Sequence, residues 1–306
     1  MLNPTHVTTL REVLVTGSFA AAAARLGYTA SAVSQQISTL ERATGLVLFE
    51  RSARMVHPTR AAVVLGERSG RVLDELAALE RETRALAAGE SGLVRVGSFP
   101  TAGATLVPWA LARFVRQRPD AEVSLEEGEP DELLPRVLSD GLDLALVYEY
   151  DLVPQRWPDE VTVAELVSEQ LRVLLPPAHP ATGTGSLALD ELSGETWIAS
   201  RETTAGASSL ARMCATAGFT PRIAFRTNDY DVVRELVHAG LGVALVPELA
   251  VTNAARPAAH GLRGEPGGRR VLAIHRAANP NPLLAPLNDA LRRAGAAHRE
   301  GRPSHR

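Results

Sequence analysis

Apolar positions recur along this chain with changing periods, and each change marks a new element. Val7, Leu10, Leu14 and Val15 lie at helical spacing and predict a first helix ending at Gly17. Ser18 is a good N-cap for the Ala-rich run to Leu26, a second, short helix of small residues that lets a neighbour approach closely. Gly27 stands where a left-handed cap is needed, and Thr29 can N-cap a third helix from Ala30 to about Arg42. In that helix Val33, Ile37 and Leu40 form one buried stripe at i, i+4 and i+7. Two short helices across a tight turn have the spacing of a helix-turn-helix. The alternating segment LVLFERSARMVHPT (46–59) then suits a short hairpin with Arg51 and Arg54 near its tip.

From Thr59 to Ala88 the period becomes that of a coiled coil. Leu65, Val72, Leu76, Leu79 and Leu86 follow an alternating three-and-four spacing with Ser69 and Thr83 in the gaps, and the flanks carry charges of both signs. Such a helix pairs with its own copy or packs as a surface helix on its own domain. GESG (89–92) ends it. Beyond it strands and helices alternate: a strand at 93–98, a helix from Thr105 to Arg118, a strand at 121–127, a helix from Asp131 to Ser139 and a strand at 143–148 make a parallel βαβαβ layout. Strand-like segments at Val161–Val167 and Gln170–Leu175 lead into a second set. It comprises TWIAS (196–200), a helix Ser208–Ala217, RIAFRT (222–227), a helix Tyr230–Ala239 and GVALVP (242–247), followed by a strand at 269–276 and a helix from about Pro282 to Arg293.

Composition narrows the chemistry. With 306 residues, 45% hydrophobic and 22% charged, the chain can bury two or three ordinary cores. The net charge of −3 is uneven, since residues 1–58 hold five Arg against three Glu and the remainder carries the negative excess; only the head suits DNA. Its reading face is the polar side of the third helix, Ser31, Ser34, Gln35, Ser38 and Arg42, which holds no carboxylate. Gln35 can pair bidentately with adenine, the serines reach base edges or phosphates, and Arg51 and Arg54 are placed for the phosphate backbone. For an isolated helix the same face reads as merely solvated.

No stretch approaches the roughly 18 consecutive apolar residues of a membrane span, and MLNPTHVTTLREVL lacks signal-peptide regions, so a cytoplasmic protein is expected. Cys214 is the single cysteine; it excludes an internal disulfide and a thiolate zinc cluster and reads as a small core residue. The eight His show no tight metal spacing, and no G-x-S-x-G elbow or P-loop is present, so neither catalysis, nor a metal, nor a cofactor is indicated. In open α/β sheets ligands bind at the carboxyl ends of strands near helix N-termini. That rule selects Ser98 and Thr101 after the first strand, Arg201, Thr203 and Thr204 after TWIAS, and Thr227 after RIAFRT, with Arg201 favouring a small carboxylate. Each alone is also an ordinary helix cap. A solute-binding protein would explain such lobes but not the head.

Through SFAAAAARLGYTASAVSQQISTLE (18–41), GLVLFERSARMVHPT (45–59) and the long helix after them, the chain resembles the LysR-type transcriptional regulators. The resemblance implies a winged helix-turn-helix over 1–58, a linker and dimerisation helix over 59–88, and a two-lobed α/β effector domain over 93–296 like a periplasmic binding protein. Lobe I would take about 93–163 and 269–296, lobe II about 164–268. It implies duplex operator DNA and a small-molecule effector as partners, a homodimer that pairs into a tetramer, and RNA polymerase if the regulator activates. Where the family often carries Gln then Pro, this chain has Ala30 and Ser31, and an alanine side chain makes no hydrogen bond to a base.

Overall fold

The computed structural model describes residues 2–51, 56–183, 185–251, 257–264 and 267–300. The chain divides into two compact units, Met1–Ala85 and Leu86–Arg306. In the first, α1 (Pro4–Thr16), α2 (Phe19–Leu26) and α3 (Ala30–Thr44) are each started by a side chain that accepts a backbone N–H: Asn3 from Thr5, Ser18 from Ala21 and Thr29 from Ala32. Such caps satisfy donors that the first helical turn cannot. Gly27 takes φ 72°, a left-handed conformation that a side chain resists, and this lets α2 stop one short turn before α3. Val7, Leu10, Val13, Val33, Ile37 and Leu40 close one small core with Ala22 and Ala23, over which Phe19 meets Phe49 edge to face at 5.4 Å.

β1 (Phe49–Arg51) and β2 (Val56–Pro58) pair antiparallel, and α4 (Arg60–Ala87) follows. The start of α4 lies so close to α1 that a Cβ on Gly66 would stand 2.4 Å from Leu14 Cδ1. Ala62, Gly66, Ser69 and Gly70 are buried there. Farther along, Val72, Leu79 and Leu86 stay 60%, 58% and 51% exposed, an apolar stripe that this chain by itself leaves in water.

The second unit is built on β3 (Ser91–Ser98), α5 (Pro100–Gln117), β4 (Asp120–Glu127), α6 (Pro130–Leu138), β5 (Leu144–Tyr150), β6 (Val161–Leu174) and β7 (Ser186–Leu187). It continues with β8 (Thr196–Ala199), α7 (Ala205–Thr216), β9 (Arg222–Arg226), α8 (Tyr230–His238), β10 (Val243–Pro247), β11 (Ala259–Leu262), β12 (Gly268–Arg276) and α9 (Leu284–Arg299). Strand order is β4-β3-β5-β12-β6-β10-β8-β9, with β11 beside β6 and β7. β3, β4 and β5 run parallel, as do β8, β9 and β10; β12 and β6 are antiparallel to their neighbours and join the two groups. β6 crosses between them, because its residues from Val161 to Gln170 pair with β12 and those from Leu171 to Leu174 with β10.

Several boundaries differ from expectation. The two strand-like segments around residue 168 are one strand of 14 residues, because Ser168 and Glu169 keep their ladder partners Arg270 and Arg269. α5 begins at Pro100, not Thr105, since proline at N1 has no N–H to lose; this moves Thr101 from a loop into the first helical turn. α7 begins at Ala205 instead of Ser208, and α9 covers Leu284–Arg299.

Where β6 and β12 cross lies a buried ion pair. Arg269 and Glu169 side chains are each 1% exposed, and Arg269 Nε donates to Glu169 Oε1 at 2.6 Å. Arg269 Nη2 donates to Thr101 Oγ1 at 2.9 Å, and its guanidinium lies 5.1 Å from the Phe99 and 5.2 Å from the Tyr148 ring centroid. Glu169 Oε2 accepts the Leu249 N–H at 2.6 Å, from the segment after β10. Removing one partner from a buried pair leaves the other charge without compensation. We therefore expect Glu169→Ala to cost about 3–5 kcal/mol. Thr101→Val, which orphans one donor, should cost about 1–3 kcal/mol. Urea unfolding followed by fluorescence of the buried Trp197 measures both, and equal midpoints for the two variants and the parent would remove the pair from the list of stabilising contacts.

Candidate functional site

Two sites were expected, one in each unit. In α3 the buried stripe turns Ser31, Gln35 and Arg42 outward and leaves Ser34 and Ser38 half-buried, so the five polar residues share the side away from the core. Ser31 Oγ lies 2.9 Å from Thr29 Oγ1, which ties it to the helix start. Arg42 folds back along the last turn, with Nε 3.4 Å from Ser38 O and Nη2 3.1 Å from Thr39 Oγ1. A guanidinium there is held at the negative end of the helix dipole. The exposed Gln35 is therefore the longest uncharged side chain at the centre of the face.

The sequence reading missed Glu41, which looks like one more charged position on α3. Its Oε1 accepts the N–H groups of Leu48 (2.8 Å) and Phe49 (3.3 Å) and so fastens the start of the hairpin to the helix. Thr59 holds the other end: its Oγ1 donates to Val47 O at 2.8 Å and accepts from Ala62 N at 3.2 Å, capping α4. Arg51 ends β1, and Arg54 lies outside the described residues.

In the second unit the strand-end residues do not act as one set. Ser98 is buried with its hydroxyl donating to Phe99 O at 3.2 Å, and Thr101 accepts from Arg269. Thr204 caps α7 through Ala207 N and donates to Arg201 O, Thr227 accepts from Asp229 N, and Thr203 is exposed. Thr101 and Thr204 both line a small pocket of about 20 Å³, with Phe99, Tyr148, Tyr150, Tyr230 and Arg269 among its other walls. Thr227 lines a second pocket of similar size.

Desolvation would lower the Arg269 pKa, but Glu169, then Tyr150 and Tyr230, hold it above its usual value, so the guanidinium stays charged. Burial pushes the Tyr150 and Tyr230 hydroxyls up and keeps them neutral. No sequence signal marks Arg269, because an arginine in an alternating strand reads as a solvent-facing residue.

The roomy cavity lies to one side. It measures about 540 Å³, within the range of metabolite sites, and is walled by Thr101, Ala104 and Thr105 of α5, the turn Glu127–Gly128–Glu129, the turn Asn228–Asp229–Tyr230, Arg201, Arg234 and Leu249. Of the expected ligand residues it holds Thr101 and Arg201. Glu129 spans it: the carboxylate accepts from Tyr148 Oη at 2.7 Å on its own lobe and from Asn228 Nδ2 at 2.8 Å on the other. Asn228 Oδ1 in turn accepts the Arg201 N–H at 2.9 Å.

Comparison with known proteins agrees with both halves. Residues 4–63 match the family model described as bacterial regulatory helix-turn-helix protein, lysR family, and residues 87–296 match the LysR substrate binding domain. The small neutral protease regulatory protein of Streptomyces lividans is 30% identical over 302 residues, 96% of this chain and 85% of that one. The hydrogen peroxide-inducible genes activator of Dickeya chrysanthemi is 29% identical over 219 residues, 72% of this chain and 70% of that one. Among solved structures, full-length CbnR complexed with its target DNA superposes with a TM-score of 0.72 at 24% identity, covering 96% of this chain and 100% of that one. A capped helix-turn-helix with a hairpin beside it, a long helix and a two-group α/β sheet, matched over nearly the whole chain, place this protein in the LysR family of DNA-binding transcriptional regulators.

Proposed function

We infer that this regulator reads operator DNA with α3 in the major groove, and the observation that carries the reading is the polar face opposite Val33, Ile37 and Leu40, with Gln35 at its centre. The related fold of CbnR, solved with its target DNA, supports DNA binding by this fold. Ser31, Ser34, Gln35 and Ser38 face bases or phosphates, Arg42 the nearby backbone, and Arg51 and Arg54 of the hairpin the phosphates beside the groove. Two copies associate through the exposed stripe of α4, from Leu65 to Leu86, so that two heads reach two half-sites, and two such dimers form a tetramer. The reading sets residues 1–58 as head, 59–88 as linker and 93–296 as effector domain, working in the cytoplasm. If it activates, RNA polymerase is a further partner.

The effector belongs between the lobes, in the large cavity that Thr101 and Arg201 share, while Ser98, Thr203, Thr204 and Thr227 lie outside its lining. A ligand there changes DNA binding only by favouring one arrangement of the assembly over another. Peroxide sensing through cysteine chemistry, as the name of the Dickeya relative invites, has no support here. Cys214 is the lone cysteine, it is buried, and burial pushes its thiol up to about 12, away from the reactive thiolate.

Gln35→Ala should relax base preference and cost about 1–3 kcal/mol on the best site. Arg54→Ala should weaken all sequences alike and lower the salt slope by about one. Anisotropy titrations of operator and scrambled duplexes at several salt concentrations separate the two, and an unaltered preference in the first would take Gln35 off the bases. Replacing both Leu76 and Leu79 by Asp would bury carboxylates in the pairing stripe at several kcal/mol each. Light scattering should then report a lower mass, and the parent's mass would place the dimer contact elsewhere.

A further inference from the structure

We propose that the effector of this regulator is a small metabolite bearing a protonated amine, of net charge zero or positive, received by Glu127 and Glu129 in the 540 Å³ cavity. The proposal rests on the reading above that this cavity is the effector site. Its ground is the balance of charge that remains once each lining group has been assigned to its partners.

Five carboxylates, Glu127, Glu129, Glu132, Asp229 and Asp231, line the cavity against two guanidinium groups, Arg201 and Arg234, among the described residues. Arg234 is already engaged, pairing with Asp231 and donating to Ala250 O. Glu132 accepts the Glu129 N–H at 3.0 Å, and Asp229 accepts from Asp231 N at 2.9 Å and Val232 N at 3.3 Å. Those two acids sit on the N-terminal turns of α6 and α8, where the helix dipoles offset part of their charge. They also occupy N–H groups that an anionic ligand would otherwise use. The starts of α6 and α8 at this cavity are thus taken by the chain's own carboxylates, whereas α5, whose Pro100 and Thr101 also border it, starts without a side-chain cap.

Glu127, Glu129, Glu132 and Asp229 have no ion pair with a described residue, so Asp231 alone of the five is offset by a side-chain cation. Glu129, the N-cap residue of α6, receives neutral donors, among them the Tyr148 hydroxyl and the Asn228 amide, although it spans the lobes and is half-buried. Glu127, at the end of β4, has no side-chain hydrogen bond or ion pair with a described residue. A dianion entering here meets like charge, whereas an ammonium group supplies the positive charge that neither Glu127 nor Glu129 has from a described residue. Across the cavity Arg201 has its side chain unpaired with any described residue, so it can take a carboxylate when the same ligand carries one. The strand-end rule, applied to sequence, pointed to a carboxylate on Arg201; the folded chain lines the same cavity with five carboxylates and makes the amine the group that is recognised.

An amine that binds Glu129 also replaces donors from both lobes, Tyr148 on one side and Asn228 on the other. Ligand entry and lobe closure then draw on the same carboxylate. Binding and closure are therefore coupled at one residue.

The test is calorimetry and thermal shift on the full-length protein with a panel of primary amines that includes putrescine and L-lysine, beside succinate as a dianion of similar size. The expected result is saturable binding of at least one amine, weakened by salt, and none of succinate. Glu127→Gln and Glu129→Gln should each weaken the amine about tenfold or more. Ala104→Trp, at an exposed wall position, should abolish binding by filling the cavity. Succinate binding without any amine binding overturns the proposal, as does a panel in which no amine binds. If an amine binds parent and Ala104→Trp equally, the cavity is not the effector site and the underlying reading fails. If Ala104→Trp blocks binding but both Gln variants bind like the parent, the site stands and its charge assignment falls.

Discussion

The ion pair between Arg269 and Glu169 is the constraint on which the second unit depends. Each residue sits on a strand that joins the two groups of parallel strands, so the pair is placed where the lobes meet. Two charges taken out of water are tolerated only when their remaining hydrogen-bonding groups are met. Here Thr101, Leu249 N–H and the faces of Phe99 and Tyr148 meet them, and these groups come from α5 and its N-cap, from β5 and from the segment after β10. Satisfying one buried arginine therefore specifies how several distant pieces of chain come together.

That arrangement also explains where the open space lies. The small pocket at the strand ends is lined by Tyr148, Tyr150, Tyr230 and Phe99, whose edge-to-face contacts at 4.9 and 5.7 Å and buried hydroxyls surround Arg269. Space remains beside it, against α5 and the turns before α6 and α8, where Glu129 bridges the lobes. The side chains that hold the lobes together thus border the cavity. A ligand that alters their hydrogen bonds has a direct way to favour one lobe arrangement over another.

The first unit follows a different economy. Its core is small, and its precision comes from caps and clamps: Asn3, Ser18 and Thr29 start the helices, Glu41 fastens the hairpin to α3, and Gly66 lets α4 lie against α1. Once α4 leaves that contact, Leu73 still packs on the core while Val72, Leu79 and Leu86 stay exposed. That stripe lies on the linker helix, where a second copy would cover it.

Local chemistry made much of this protein legible from its sequence. The spacing of Val33, Ile37 and Leu40, the caps at Ser18, Gly27 and Thr29, and the alternation of strands and helices depend on neighbours within a few residues, and they determined the helix-turn-helix, the polar face of α3 and the α/β class. Tertiary structure alone decided the rest. Thr101 read as a free hydroxyl at a strand end, yet it is spent on Arg269, which lies 168 positions away in the chain. Glu129 carried no signal in the sequence, yet it is bound by Asn228, 99 positions away. The sheet order, the single long strand β6 and the acid-lined cavity share that origin. Pairings between residues so far apart leave no period in the sequence, because the free energy that selects them arises only when burial strips water from both partners at once.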